Sequence, residues 1–316
     1  VSLGIKQGTL FGFLGANGAG KTTLISMITS MLQSSNGTIE IDGENVTHLK
    51  DRSIISVCPQ FNDHLITEMT PLEHFTLYSY IFNMNKEQTR NRINEMIDDI
   101  QLQNILNKKL NEISFGDLRK LSVALAFFGP SKVIFLDEPT TSLDSNAREL
   151  VHKIILKYKS SKNILLCTHL LNEAEELCDQ ISIMNKGCIY TVDTPQNLNK
   201  KFGTSIKIDV FLNGNDNLAS QKCTNFFNNN IPKAVLAIER PKSRIYRISN
   251  HFVTFARRFR IMEDGRKNPE NGFFSFTCTS SSLEQTFLEI VKLAESGEVD
   301  ASISLLKAAQ DSVPPV

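Results

Sequence analysis

The chain has 316 residues, 41% hydrophobic and 22% charged, ordinary proportions for a globular protein long enough to hold two domains. Its 34 basic and 34 acidic residues cancel, which removes the basic excess of a general nucleic-acid binder. Six cysteines without a C-x-x-C pair argue against a disulfide framework or zinc site and fit a reducing compartment, and no apolar run approaches the roughly 20 residues that cross a bilayer.

The first element is the apolar run "TLFGFL" at residues 9–14, a buried strand. "GANGAGKTT" follows it and precedes the helical pattern "LISMITSML". Gly15, Gly20, Lys21 and Thr22 satisfy G-x-x-x-x-G-K-[ST], which chance supplies in a chain of this length about once in 100. Glycines at 15, 18 and 20 let backbone N–H groups turn inward around phosphate oxygens with no Cβ in the way. The helix opening at Gly20 points its positive end at the same anion. Lys21 is expected to reach the β- and γ-phosphates of ATP and Thr22 to put its hydroxyl on Mg²⁺, with Asn17 and Thr23 completing the nucleotide contacts.

Further on, "SIISV" (53–57), "KVIFL" (132–136), "NILLC" (163–167) and "QISIM" (180–184) read as strands of a parallel sheet. Between the first two of these lies a helical lobe, about residues 62–130, in which Ile93, Met96, Ile97 and Ile100 recur at helical spacing. "KVIFLDEP" ends a strand in two carboxylates: Asp137 to hold Mg²⁺ through water, Glu138 to polarise an attacking water. After 203 the grammar becomes strand 206–211, helix 221–228, strands 234–239 and 243–248, helix 252–262, strand 273–278 and helix 283–293. The first six give the β-α-β-β-α-β order of a ferredoxin-like α+β domain at 204–293, with a loose tail from 294. "FARRFR" in the second of its helices reads as a solvated face.

With these motifs in order, residues 1–202 resemble the nucleotide-binding domain of an ATP-binding cassette (ABC) transporter: a P-loop α/β core with a helical subdomain, here 1–203. The resemblance adds Gln60 in "VCPQFND", Ser114 and Gly116 in "ISFGD", Asp144 in "SLD" and His169 after "NILLC". It implies that Gln60 touches Mg²⁺ and the water and couples to transmembrane domains, and that His169 contacts the γ-phosphate. Ser114 and Gly116 would face the ATP of a second cassette, and Asp144 would reach across to it. "RKLSVALAFFG" (119–129), "IMNKG" (183–187) and "SLEQTFLEIVK" (282–292) resemble the A subfamily, which moves lipids and carries a ferredoxin-like regulatory domain after each cassette. The implied protein is an ATPase at the cytoplasmic face of a membrane, with no nucleic-acid partner. The alternatives are a soluble cassette ATPase of translation or chromosomes, or a regulatory cassette that binds ATP and hydrolyses it weakly.

Two departures stand out. Phe115 replaces a signature glycine where backbone approaches phosphate. The chain also starts at Val1, as part of a longer polypeptide, so the family's adenine-stacking aromatic is expected upstream.

Overall fold

The computed structural model describes residues 1–202, 205–214, 217–231, 234–249, 255–279 and 282–296. The chain divides into two compact units, one over Val1–Pro195 and one beginning at Gln196.

In the first unit the near-continuous apolar runs become strands, of which those at Leu10–Gly15 and Val133–Asp137 are buried throughout. Every residue of β1 (Leu10–Gly15) is buried. After it come α1 (Lys21–Ile28), a short hairpin of β2 (Glu40–Ile41) and β3 (Glu44–Asn45), and β4 (Ile55–Cys58). Strand β4 starts later than its sequence suggests, because Asp51 caps a 3₁₀ turn at Arg52–Ile54 that consumes the front of the run. Next are α2 (Pro71–Ile81), α3 (Lys86–Ile100), α4 (Phe115–Phe128), β5 (Val133–Asp137), α5 (Ser145–Tyr158), β6 (Asn163–Thr168), α6 (Leu171–Leu177), β7 (Gln180–Asn185) and β8 (Cys188–Asp193). The strands form one six-stranded sheet in the order β4-β5-β6-β1-β7-β8. The neighbours from β4 to β7 are parallel, and β8 returns antiparallel along the edge. Strand β8 escaped the sequence reading because its half-exposed residues lack the apolar run of the others.

The lobe between β4 and β5 is built on caps. Thr70 and Glu73 form a reciprocal capping box at the start of α2, with Pro71 at its first position. Asn85 and Gln88 do the same for α3. Helix α3 buries Ile93, Met96, Ile97 and Ile100, the stripe its spacing foretells. On its other side a polar network reaches α5. Arg92 donates to the Phe127 and Phe128 carbonyls, to Glu95 and to the Tyr158 hydroxyl. Lys157 closes the network at 2.8 Å from Glu95 and 2.6 Å from Asp99.

The second unit follows with α7 (Pro195–Phe202, all but its first residue), β9 (Ser205–Leu212), α8 (Asn217–Asn230), β10 (Ala234–Arg240), β11 (Ser243–Ser249), α9 (Phe255–Arg266), β12 (Phe273–Thr279) and α10 (Leu283–Ser296). Its four strands pair antiparallel in the order β10-β11-β9-β12. Ile206, Ile208, Val210 and Leu212 of β9 pack with Phe226, Phe227, Tyr246, Met262 and Phe273 in one core. The division of the chain falls ahead of α7, where the sequence expectation put it at 203. The "FARRFR" helix is not a solvated face throughout: Arg258 is buried, while Arg257 and Arg260 are exposed. Helix α10 runs on to Ser296, and the rest of the expected loose tail lies outside the described residues.

Glu95 gives the tie between α3 and α5 a pH signature. Partial burial alone would raise its carboxyl, but hydrogen bonds from Lys157, Arg92 and Tyr158 outweigh burial and bring it from the ordinary 4.5 down to about 2. A depressed carboxylate stabilises the fold above its ordinary value and loses that contribution as pH falls through its folded value. Thermal unfolding followed from pH 6 downward should therefore show a Glu95→Gln chain losing less stability than the parent between 4.5 and about 2.

Candidate functional site

Parallel pairing brings the carboxyl ends of β4, β5, β6 and β1 to one edge of the sheet, and the chemistry-bearing residues follow directly after them. Register fixes their neighbours: Leu14 stands opposite Thr168, Asp137 opposite Cys167, and Leu136 opposite Cys58. Ligands of open α/β sheets bind outside this edge.

The loop after β1 is held by backbone on both sides. Gly18 and Gly20 sit at φ 79 and 102, a region that costs other L-residues about 1–2 kcal/mol. The Ala19 amide donates to the Ala16 carbonyl at 3.0 Å, and the Ala19 carbonyl accepts from Gly187 N–H at 2.9 Å. Gly187 lies in the tight β7–β8 turn, at φ 79 beside Lys186 at φ 48. Gly15 has no space for a side chain: a Cβ would stand 2.6 Å from the Met184 carbonyl oxygen and 2.8 Å from the Ala19 Cβ. Beyond Gly18 there is nothing within 4 Å, so that side of the loop is open. Asn17, Gly18, Thr22 and Thr23 are exposed on it. Lys21 is 8% exposed, and its Nζ donates to the Gly15 and Ala16 carbonyls at 2.7 and 3.3 Å.

Thr22 Oγ1 donates to Asp137 Oδ2 at 3.0 Å, across 115 residues of sequence. Burial pushes the Asp137 carboxyl above its ordinary range; Thr22, Lys21 and Arg119 pull it back, and Glu138 adds to the rise. Glu138, 6% exposed, is a non-glycine at φ 51, and its N–H donates to the Cys167 carbonyl at 2.8 Å. Strain of this kind persists only where surrounding bonds over-determine it. Its Oε2 accepts from His169 Nδ1 at 2.7 Å and from Thr141 Oγ1 at 3.3 Å. With Nδ1 as donor, Nε2 is the His169 nitrogen left for a ligand. Leu170 N–H bonds Thr168 Oγ1 at 3.0 Å, which shapes the turn that presents His169.

Other expected residues stand apart from this cluster. Gln60 follows β4 on the same edge, exposed, with no hydrogen bond to Thr22, Asp137 or Glu138. Ser114 caps α4, its Oγ accepting from Asp117 N–H at 3.2 Å and donating to Asp117 Oδ2 at 2.7 Å. Phe115, at the first position of α4, is 54% exposed, and Gly116 lies 3.7 Å from Leu143 as measured from an added Cβ. Asp144 caps α5 by accepting from Ala147 N–H at 2.8 Å. Cys58 and Cys167 are fully buried, and burial raises both thiols.

Sequence reading passed over two residues here. Arg119 touches the backbone after β4 and β5, and Glu173 on α6 joins Thr140 to His152 at 2.7 and 3.1 Å.

The ABC transporter family profile matches residues 1–141. Among curated proteins the chain is 32% identical to ABC transporter A family member 11 of Dictyostelium discoideum over 297 residues, which is 92% of this chain and 35% of that protein. It is 36% identical over 200 residues to the human retinal-specific phospholipid-transporting ATPase ABCA4, covering 63% of this chain and 9% of the relative. The chain carries an ABC transporter ATPase domain. It spans about a third or less of the length of these ABC relatives. Among solved structures, an ATP-binding subunit of an ABC transporter superposes with a TM-score of 0.58 at 26% identity, over 62% of this chain and 83% of that one. A dimeric ATP-binding cassette in a post-hydrolysis state, bound to ADP and Pi, gives 0.56 at 25% identity, over 61% of this chain and 88% of its own. The matched region carries the ABC ATPase sheet described above.

Two glycines of the cassette separate close packing from open space. Gly15→Ala should lower the thermal midpoint and abolish binding of a fluorescent ATP analogue, since both blocking atoms belong to rigid neighbours. Gly116→Ala should leave the midpoint unchanged, because its nearest new contact is an ordinary 3.7 Å.

Proposed function

We propose that the first unit binds MgATP on the P-loop and hydrolyses it, and that closure with a second cassette drives transport of lipid by transmembrane domains. The observation that carries the hydrolytic part is the Glu138–His169 pair, 2.7 Å apart beside the Thr22–Asp137 pair on the P-loop edge. Thr22 and Asp137 offer one hydroxyl and one carboxylate, the partial set that suits a hard cation keeping waters and taking its other ligands from phosphates. No cluster of three or more His, Cys, Asp or Glu among the described residues competes with that assignment. Bound there, Mg²⁺ would neutralise charge on the phosphates.

The protein's own residues divide the remaining work. Loop N–H groups and Lys21 hold the β- and γ-phosphates, and Asn17, Gly18 and Thr23 line the approach. Glu138 accepts the proton of the attacking water, and Gln60, when its segment swings in, orients that water. His169 presents Nε2 to the γ-phosphate while its Nδ1–H keeps Glu138 aimed. Across the dimer, Ser114, Gly116 and Asp144 complete the partner's site. The dimeric cassette structures favour this pairing, and the phospholipid-transporting relative favours lipid as cargo. No helix among the described residues is long and apolar enough to cross a membrane. The transporter relatives favour a position for this segment at the cytoplasmic face. The second unit is read as a ferredoxin-like regulatory domain on the strength of its β-α-β-β-α-β order.

The signature favours a weak composite site opposite. Phe115 stands at its tip, and the Ser114 hydroxyl proton is committed to Asp117. Burial acts to raise Asp117, yet hydrogen bonds from Lys120 and Ser114 outweigh it and keep the carboxyl low, so a negative charge sits beside that serine.

Glu138→Gln should lower steady-state ATP turnover by about 10²-fold or more, in line with loss of a general base, while nucleotide binding persists. Turnover left intact would end the hydrolytic reading. Phe115→Gly should raise turnover of a reconstituted cassette pair; an unchanged rate would remove Phe115 as the cause of asymmetry.

A further inference from the structure

Arg119 is 1% exposed on α4. A guanidinium has five N–H donors and no acceptor, and here every donor has a partner. Nε donates to the Pro139 carbonyl at 3.1 Å. Nη1 donates to the Pro59 carbonyl at 2.5 Å and to Asn62 Oδ1 at 3.4 Å. Nη2 donates to the Asp137 and Glu138 carbonyls at 2.7 and 2.9 Å. Four of the five acceptors are thus main-chain carbonyls, and none is a carboxylate.

Those carbonyls belong to two segments that meet nowhere in sequence. Pro59 precedes Gln60, and Asp137, Glu138 and Pro139 are the residues at which β5 ends and the chain turns. The Pro59, Glu138 and Pro139 carbonyls lie past the strand ends, off the sheet ladder, and a carbonyl withdrawn from water needs a donor there. Glu138 has the further demand of φ 51, so its peptide needs fixing from both sides. Cys167 accepts from its N–H, and Arg119 donates to its C=O. The guanidinium also sets a permanent positive charge behind two buried carboxylates.

We propose that Arg119 is a positioning residue for hydrolysis: without touching nucleotide, it fixes the Glu138 main chain and the segment leading to Gln60 through the carbonyls of Pro59, Asp137, Glu138 and Pro139. The inference rests on the hydrolytic reading of the site and adds a residue to it. Lysine in its place keeps the charge but offers three donors from a single point, which cannot span carbonyls on two segments.

The test is Arg119→Lys in the full chain, beside Glu138→Gln. Turnover at saturating MgATP should fall about 100-fold, the scale of a roughly 1 Å misplacement of a reacting group. Half-saturating MgATP should change less than about threefold, because the phosphate-binding loop is untouched. The His169 ring resonances, read by NMR with labelled histidine, should move toward those of Glu138→Gln. Unmoved resonances with unchanged turnover overturn the proposal, as does a loss of turnover matched by an equal loss of nucleotide affinity. If Glu138→Gln leaves turnover intact, the hydrolytic reading fails by itself, and the His169 resonances still decide whether Arg119 positions Glu138. If Arg119→Lys shows no cooperative thermal transition, Asn62→Asp replaces it, the new carboxylate drawing Nη1 away from Pro59. That variant should lose about tenfold in turnover at unchanged half-saturation, a loss near 1.4 kcal/mol, and full turnover overturns the proposal.

Discussion

Everything at the site depends on parallel pairing of β1 with strands far from it in sequence. Strand β1 hydrogen-bonds to β6 on one side and β7 on the other, and β6 carries β5 and then β4 beyond it. Each pairing runs carboxyl end beside carboxyl end, so the turns after four strands open on one edge. Buried apolar side chains hold that register, because a slip of one residue would turn each strand's faces inside out. Phe11, Phe13, Phe135 and Leu165 pack in a single core beneath the edge. The geometry of the candidate site is therefore a property of the hydrophobic sheet before it is a property of any loop.

Charge is balanced locally on that edge. Asp137 and Glu138 are adjacent carboxylates withdrawn from water, an arrangement that is costly without compensation. Lys21 stands on one side and Arg119 on the other, and both draw the Asp137 carboxyl back down against its burial. The two cations differ in use. Lys21 is bonded only to carbonyls of its own loop, a set that phosphates can replace, whereas Arg119 gives four of its five hydrogen bonds to main-chain carbonyls and the fifth to Asn62 Oδ1.

Much of this could be read in the residues themselves. The five parallel strands were legible because a buried strand is apolar on both faces, and the helical stripe of α3 because burial there has a period of 3.6. The P-loop and the two carboxylates were legible because each follows an apolar run directly. Strand β8 was not, since an edge strand alternates weakly, and β4 lost its first residues to a capped turn that local polarity does not announce. Arg119 and Glu173 were hidden for another reason. Each acts through partners dozens of residues away, and no local pattern records a hydrogen bond across the sheet.

The β7–β8 turn has a consequence for the strength of nucleotide binding. Its Gly187 amide holds the Ala19 carbonyl, and Met184 backbone lies against Gly15, so the loop's shape is set by the sheet's far side. Ordering a residue's backbone costs about 1–2 kcal/mol, and a ligand that must impose that order loses the same amount from its affinity. Here part of that order is already present when a phosphate arrives, because the backbone at Gly15 and Ala19 is tied to β7 and its turn. The phosphate loop behaves as a preorganised receptor, and its rigidity is borrowed from a hairpin that need never meet the ligand.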